Sequence, residues 1–173
     1  MTRAILRIQQ NRILITTPAK KSFFTPFQTR TMAAKAPPII ATRTVQCLCK
    51  SVKIEVTGQD KGSVLCHCNN CKQSSGSSFM HNHRFTKSEL KVVEGENVLK
   101  VYKDSNTKSG NTLSRHFCGN CGSPLYLSNS AIKGFVVLHC GNLEGTKTQP
   151  IMELFPKDKP SWIGNVLEDK SRL

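Results

Sequence analysis

Short runs of alternating apolar and polar residues predict β-strands along most of the chain. Val52, Ile54 and Val56 alternate with Lys53 and Glu55, which is the two-residue period of a half-buried strand. Further apolar or alternating runs follow, separated by Gly, Asn, Ser and Pro residues that are typical of turns; they lie at 90–93, 98–102, 125–127, 135–138 and 151–155. No window of about 12 residues in the domain has the 3.6-residue apolar period of an amphipathic helix. The pattern predicts a compact, mainly β domain.

Residues 1–42 differ in composition from the rest of the chain. Residues 1–54 contain ten Lys or Arg and no Asp or Glu, and the first acidic residue is Glu55. A leader rich in Arg, Thr, Ser and Pro and free of acids is typical of a mitochondrial transit peptide. The alternatives are a disordered tail, or residues that precede a translation start at Met32. We therefore predict a basic leader over 1–42 and a domain over 43–173. The compartment is mitochondrial if the leader is a transit peptide and cytoplasmic otherwise.

Of the net charge of +14, residues 1–54 contribute +10. The remaining 119 residues carry 15 Lys or Arg against 11 Asp or Glu, so the domain is only mildly basic. This distribution argues against nucleic acid as the partner, because a nucleic-acid-binding domain concentrates cations on one of its own faces. No apolar run approaches the roughly 20 residues that a membrane-spanning helix needs, so we expect no membrane insertion.

Seven of the eight cysteines fall into three clusters with the short spacings of metal ligands. The clusters are a C-x-C pair, a C-x-C-x-x-C triplet and a C-x-x-C pair: Cys47 and Cys49; Cys66, Cys68 and Cys71; Cys118 and Cys121. No secretory signal precedes them, and clustered cysteines in a reducing compartment more often bind metal than form disulfides. Zinc normally takes four ligands, so seven cysteines divide naturally as four plus three.

This division predicts two zinc ions per chain with different roles. The two pairs would form a closed structural site, which ties the start of the domain to a turn about seventy residues later. The triplet would hold a second ion with one open position, which a water or a substrate thiol can occupy. The alternative is that a histidine closes the second site; the candidates are His67, His81, His83 and His116. His67 is disfavoured among them, because its side chain should diverge from the thiolates on either side.

The order of these motifs resembles the glutathione-dependent formaldehyde-activating enzyme and centromere protein V family. The resemblance is carried by the C-x-C pair, CHCNNCKQSSGSSF, FCGNCGSPLY, LHCGNLEG and the segment from Pro150 to Trp162, and it covers residues from about 43 to 165. It implies a zinc-stapled β-tent of small antiparallel sheets, and the same four-plus-three division of the cysteines. The sequence departs from the family at the first C-x-C pair, where Gln46 and Lys50 stand at positions that are often glycine.

The resemblance also implies a function. We expect a carbon–sulfur lyase-type enzyme similar to S-(hydroxymethyl)glutathione synthase, which joins glutathione and formaldehyde, or a related thiol and aldehyde. The alternative within the same family is a non-catalytic zinc-binding interaction domain, like centromere protein V. His67, His81 and His83 are candidates for moving the proton. Lys72 and Arg84 are candidates for pairing with the carboxylates of glutathione.

Two further residues carry expectations about packing. Cys140 stands outside the clusters and is predicted to be a buried, small apolar residue. A lesser alternative makes it a redox thiol or a spare ligand. Trp162 is expected to pack the C-terminal segment onto the sheets.

Overall fold

The structure is a computed structural model that describes residues 37–167. Residues 1–36 and 168–173 lie outside the described residues. The transit peptide, the start at Met32 and the compartment therefore stay predictions. No helix within 37–167 has both the length and the apolar character required to cross a membrane.

Eight strands of the described residues join into one hydrogen-bonded sheet in the order β1-β2-β3-β7-β6-β5-β4, with β8 paired to β2. All neighbours run antiparallel except β2 and β8, which run parallel. The bounds are β1 (Ile40–Gln46), β2 (Lys53–Cys66), β3 (Met80–Glu94), β4 (Leu99–Asp104), β5 (Leu113–Cys118), β6 (Pro124–Asn129), β7 (Val136–His139) and β8 (Pro150–Leu154). The predicted mainly β fold is confirmed, and the structure adds that its strands are continuous in one sheet.

The long β2–β3 pair changes partner along its length. Its register shifts between Thr57 and Gln59 and again between Asp60 and Ser63, which are β-bulges that bend the strands. Before the bulges β2 pairs with β1, and after them its end pairs with β8, where Cys66 lies opposite Leu154. The bulges therefore separate a half of β2 that closes the core from a half that carries Cys66, the first cysteine of the triplet.

A seven-residue helix, α1 (Asn69–Ser75), connects β2 to β3 and was not predicted. It begins at Cys68, whose sulfur accepts a hydrogen bond from the backbone N–H of Cys71, and it ends at Gly76 in the left-handed conformation. Two turns are too short to show a helical apolar period, so the sequence pattern could not reveal them. The helix holds Cys71 beside Cys68.

The packing expectation for Cys140 is confirmed and that for Trp162 is wrong. Cys140 is 0% exposed, and burial raises the pKa of its thiol to about 12, so it is an inert core residue. Trp162 is 74% exposed. The chain turns after β8, where Ile163 N–H donates to the Pro160 carbonyl at 3.0 Å, and this turn carries the indole away from the sheet.

Candidate metal centres

The two cysteine pairs meet in one cluster. The sulfurs of Cys47, Cys49, Cys118 and Cys121 all lie within 4.8 Å of one another. The Cys47–Cys49 distance is 3.5 Å and the Cys49–Cys118 distance is 3.7 Å, too long for disulfides. Four sulfurs about 2.3 Å from a zinc ion stand about 3.8 Å apart at the corners of a tetrahedron. The spacing of these donors therefore fits a closed four-thiolate site.

Tight turns aim the backbone N–H groups of this cluster toward the sulfurs. Val52 N–H donates to the Cys47 sulfur at 3.2 Å. The hydroxyl of Ser123 lies 3.2 Å from the Cys121 sulfur, and this hydrogen bond is the main reason that the pKa of Cys121 falls to about 5. Hydrogen bonds to a sulfur favour the thiolate, which is the form that binds metal. The first C-x-C turn also holds Lys50 at a φ of 63°, a conformation that glycine adopts without steric cost.

The triplet forms a second, separate cluster. Cys66 ends β2, Cys68 precedes α1 and Cys71 lies within α1, and their sulfurs lie within 4.8 Å of one another. All three are buried, and the Cys66–Cys68 distance is 3.5 Å. Within residues 37–167, no fourth Cys, His, Asp or Glu ligand atom joins this group. Three donors in this arrangement fit a metal ion that retains one open position.

Hydrogen bonds among the three thiols favour the thiolate form of Cys68. Cys68 accepts hydrogen bonds from the thiols of Cys66 and Cys71, and these bonds hold the pKa of Cys68 far below its usual value. The pKa of Cys66 is raised, first by its hydrogen bond to Cys68 and also by burial. The local structure therefore stabilises negative charge at the N-terminal cap of α1, where a metal ligand is needed.

The triplet lines a cavity of about 260 Å³. The floor is the sheet, because side chains alternate along each strand and the same face is presented by Val64 and Cys66 on β2 and by Asn82 and Arg84 on β3. The walls come from the β4–β5 loop and from the end of β8 with the residue after it; they include Thr107, Lys108, Asn111, Leu154 and Phe155. The thiols are thus reached through a pocket rather than from an open surface.

His81 and His83 occupy the alternate positions of β3 and do not line this cavity. His83 is fully buried; its Nε2 lies 2.7 Å from Asp60 Oδ1 and its Nδ1 lies 2.9 Å from Thr148 Oγ1. Both ring nitrogens are therefore hydrogen-bonded, and they connect the bulge of β2 to the segment before β8. Burial lowers the pKa of His81.

The other two histidines are also held away from the triplet. His67 is 0% exposed, and its Nε2 lies 3.5 Å from a carboxylate oxygen of Glu153. His116 stacks on Tyr126 with ring centroids 4.1 Å apart, and burial lowers its pKa to about 4. Neither lines the cavity, so the structure brings no histidine of the described residues to the triplet sulfurs.

A family model described as glutathione-dependent formaldehyde-activating enzyme matches residues 42–158, a span that includes all seven clustered cysteines. The chain belongs to the glutathione-dependent formaldehyde-activating enzyme family. A curated relative from Schizosaccharomyces pombe, named as an uncharacterized lyase, is 33% identical over 82 residues, which are 47% of this chain and 54% of the relative. The match thus spans about half of that relative's length.

The fold of the family member also has a counterpart among solved structures. A crystal structure of a Rhodobacter sphaeroides protein aligns with 64% of this chain and 99% of its own, with a TM-score of 0.50 and 20% sequence identity. At this identity the likeness concerns the fold alone.

Of the two residues predicted to pair with carboxylates, the structure brings Arg84 to the cavity and leaves Lys72 outside it. Arg84 is half-buried; its Nη2 donates to the Lys61 carbonyl at 3.1 Å, while its Nε is buried and has no hydrogen-bond partner among the described residues. The Lys72 ammonium donates instead to the backbone carbonyl of Asp158 at 3.1 Å. Lys72 does not line the cavity. Its side chain extends from α1 toward Asp158 instead.

Sequence reasoning missed two further cations of the cavity, Lys108 and Arg115. Lys108 pairs with Asp158 at 2.5 Å and lies over the Phe155 ring, 5.5 Å from its centroid. Arg115 lies on β5, a strand that the apolar pattern did not predict, and its Nε donates to Asp104 at 2.8 Å. Burial opposes its charge, but the hydrogen bond to Asp104 and the neighbouring Cys71 outweigh burial and raise the pKa of Arg115.

Proposed function

We propose that the protein is a zinc-dependent, carbon–sulfur lyase-type enzyme that joins glutathione to formaldehyde, or a related thiol to a related aldehyde. The observation that carries the proposal is the triplet of cysteine sulfurs in the lining of a cavity, with no fourth ligand atom from residues 37–167. Membership of the formaldehyde-activating family, and a relative named as a lyase, support a lyase-type reaction.

The donor sets support two zinc ions per chain, one held by the four-thiol cluster and one by the triplet. When bound at the triplet, zinc would stabilise a substrate thiolate at its open position. Leu154 and Phe155 pack against the triplet. Their apolar side chains lower the local dielectric constant, which strengthens the electrostatic attraction between the bound groups.

Arg84 is the residue that we assign to the charged part of the thiol. Glutathione carries a net negative charge at neutral pH, and a carboxylate pairs well with a guanidinium because both are planar and form parallel hydrogen bonds. The buried and unpartnered Nε of Arg84 supplies such a donor on the cavity floor. We expect Arg84 to orient the thiol so that its sulfur points to the triplet.

The proton needed by the product alkoxide comes from water in this proposal. His67, His81 and His83 were candidates for this step, but none of them lines the cavity. The ring of His83 is held by Asp60 and Thr148, and the ring of His67 lies beside Glu153. We assign these histidines to the packing of the bulge and of β8 rather than to proton transfer.

The test is the exchange between glutathione, formaldehyde and their adduct at equilibrium, followed by exchange-sensitive NMR on the full chain. This measurement needs no net product, so the rapid uncatalysed addition can be subtracted. Cobalt substituted for zinc gives a second signal, because a new thiolate ligand changes its charge-transfer absorption. We expect both signals in the wild type and neither in Cys68→Ser.

Exchange that runs no faster than in buffer, together with cobalt spectra unchanged at millimolar glutathione, would reject this function. The alternative of a non-catalytic interaction domain predicts that outcome, and a pull-down for protein partners would then be the next measurement. A concave cavity of about 260 Å³ that is lined by three thiols is better explained by a small ligand than by a docking protein, which needs a broader exposed surface.

A further inference from the structure

Arg115 is a buried cation in the cavity wall that the proposed function does not yet use. Its side chain is 10% exposed and lines the same cavity as the three cysteines of the triplet. Its guanidinium lies beside Cys71, one of the three cysteines of the triplet, with which its side chain is in hydrogen-bond contact. Nε donates to Asp104, but Nη1 is buried and has no hydrogen-bond partner among the described residues.

Hydrogen bonds through Asp104 fix the position of this guanidinium. Asp104 is buried, and both of its carboxylate oxygens accept from the side-chain amide of Asn70, each at 3.0 Å. Asn70 precedes Cys71 on α1, so the helix that supplies a triplet sulfur also positions the carboxylate that orients Arg115. A chain of hydrogen bonds thus sets the guanidinium relative to the triplet.

An unpaired donor at this place needs an explanation. A buried donor without a partner costs about 1–3 kcal/mol, and more when it is charged. When a nucleophile adds to a carbonyl group, negative charge develops on the carbonyl oxygen. Hydrogen-bond donors that already point to this position are the usual source of transition-state stabilisation. The Arg115 guanidinium lines the cavity beside the triplet and is held by Asp104, so it has the charge, the burial and the fixed orientation that such a donor requires.

We propose that Arg115 is a catalytic residue whose guanidinium donates a hydrogen bond to the aldehyde oxygen while the carbon–sulfur bond forms. This inference rests on the proposed function. The electron pair of the thiolate sulfur forms the bond to the carbonyl carbon, and the carbon–oxygen π pair moves onto oxygen. Arg115 holds the resulting alkoxide and keeps its own proton. The alkoxide takes a proton from water, which gives the hydroxymethyl thioether and a hydroxide ion.

The roles assigned to the two arginines of the cavity predict different kinetic effects. Arg84 binds the thiol before and during the reaction, so the main effect of Arg84→Gln should be a weaker thiol affinity. Arg115 acts on charge that exists only as the bond forms, so its loss should lower the rate and leave thiol affinity nearly unchanged.

The experiment compares three variants of the full chain with the wild type. Arg115→Gln combined with Asp104→Asn removes the charged pair together, because removing one partner would leave the other charge buried and uncompensated. Arg115→Lys keeps the charge but loses the fixed geometry of the guanidinium, and Arg84→Gln is the matched control from the same cavity. Zinc content and thermal melts establish that each variant is folded and loaded.

Two quantities are measured for each: the glutathione dissociation constant from cobalt absorption, and the NMR exchange rate at saturating glutathione. We expect the double variant to lose about 100-fold or more in exchange rate, as when an oxyanion donor is removed, with a dissociation constant within about threefold of the wild type. Arg115→Lys should lose at least about tenfold in rate. If the double variant does not fold, Arg115→Lys alone decides.

Wild-type rates in the folded Arg115 variants would overturn the assignment of Arg115 while leaving the proposed function intact. Equal losses of rate and thiol affinity would also overturn it, since they would indicate a residue that shapes the site. A wild type that accelerates no exchange would reject the proposed function itself, and this inference with it.

Discussion

Removing one thiolate from each cysteine cluster should have opposite consequences for stability and for metal content. Cys121 belongs to the four-thiol cluster, which joins the β1–β2 turn to the β5–β6 turn across the 69 residues that separate Cys49 from Cys118. Structural zinc contributes about 10–16 kcal/mol in small zinc domains, so one of four thiolates accounts for about 3–4 kcal/mol. That loss is a large share of the 5–15 kcal/mol that stabilises a typical domain.

We therefore expect Cys121→Ser to lower Tm by on the order of 10 °C, because about 1 kcal/mol corresponds to roughly 3–5 °C in a domain of this size. Cys68→Ser should change Tm much less. Serine is a better N-terminal cap than cysteine, so α1 keeps the hydrogen bond that the Cys68 sulfur now accepts from Cys71 N–H. This variant should instead lose the ion of the triplet.

Thermal melts and element analysis before and after mild chelation measure the two effects. The wild type should carry two zinc ions and retain one after chelation. Cys140→Ala is the matched control: Cys140 is a fully buried cysteine outside both clusters, so its loss should cost about 1 kcal/mol and no metal. A larger fall in Tm for Cys68→Ser than for Cys121→Ser would show that the structural and open sites are exchanged, and one ion under all gentle conditions would refute the division.

Three smaller predictions concern single residues. Lys50→Gly should raise stability by about 1 kcal/mol in thermal melts, because glycine adopts the φ of 63° without strain; an unchanged or lower Tm would refute this. Burial, and then the charge of Arg115, lower the pKa of His139 to about 3 in the folded state, below the unfolded value of about 6.5. The unfolded state then takes up the proton first, so stability present above pH 6.5 should be lost as the pH falls toward 3, and more steeply than in His139→Gln. Trp162→Ala should change stability by less than about 0.5 kcal/mol, because the indole is 74% exposed, and a loss above 2 kcal/mol would indicate packing that the structure does not contain.

The strands could be predicted where one face is apolar and the other polar. The alternation of apolar and polar residues at 52–56 correctly predicted the first half of β2. The alternation fails at the bulges of this strand, so the sequence did not predict its second half. β5 was missed because its interior positions Ser114 and Arg115 are buried polar residues, which periodicity reads as exposed. Trp162 fails for the reverse reason: an aromatic residue was assumed to be buried, although its segment turns away from the sheet.

The two groups of cysteines could be predicted from the sequence, because the prediction depends only on local spacing and on the number of ligands that zinc takes. The structure brings together the same four and the same three sulfurs. The cavity could not be predicted in this way. Arg84, Lys108 and Arg115 come from three separate segments, and nothing in their local sequence distinguishes them from solvated surface cations. Their meeting depends on the order of the strands in the sheet.

The short helix α1 explains why the triplet and the cavity form one unit. Cys68 and Cys71 supply two of the three sulfurs from its first turn, and Asn70 between them holds the carboxylate that orients Arg115. A change in the helix therefore moves the thiols and the guanidinium together. Within residues 37–167 the four sulfurs of the other cluster form a group separate from the triplet. We expect that cluster to stabilise the fold by itself, so that the fold does not depend on closing the triplet and the triplet can keep one position open.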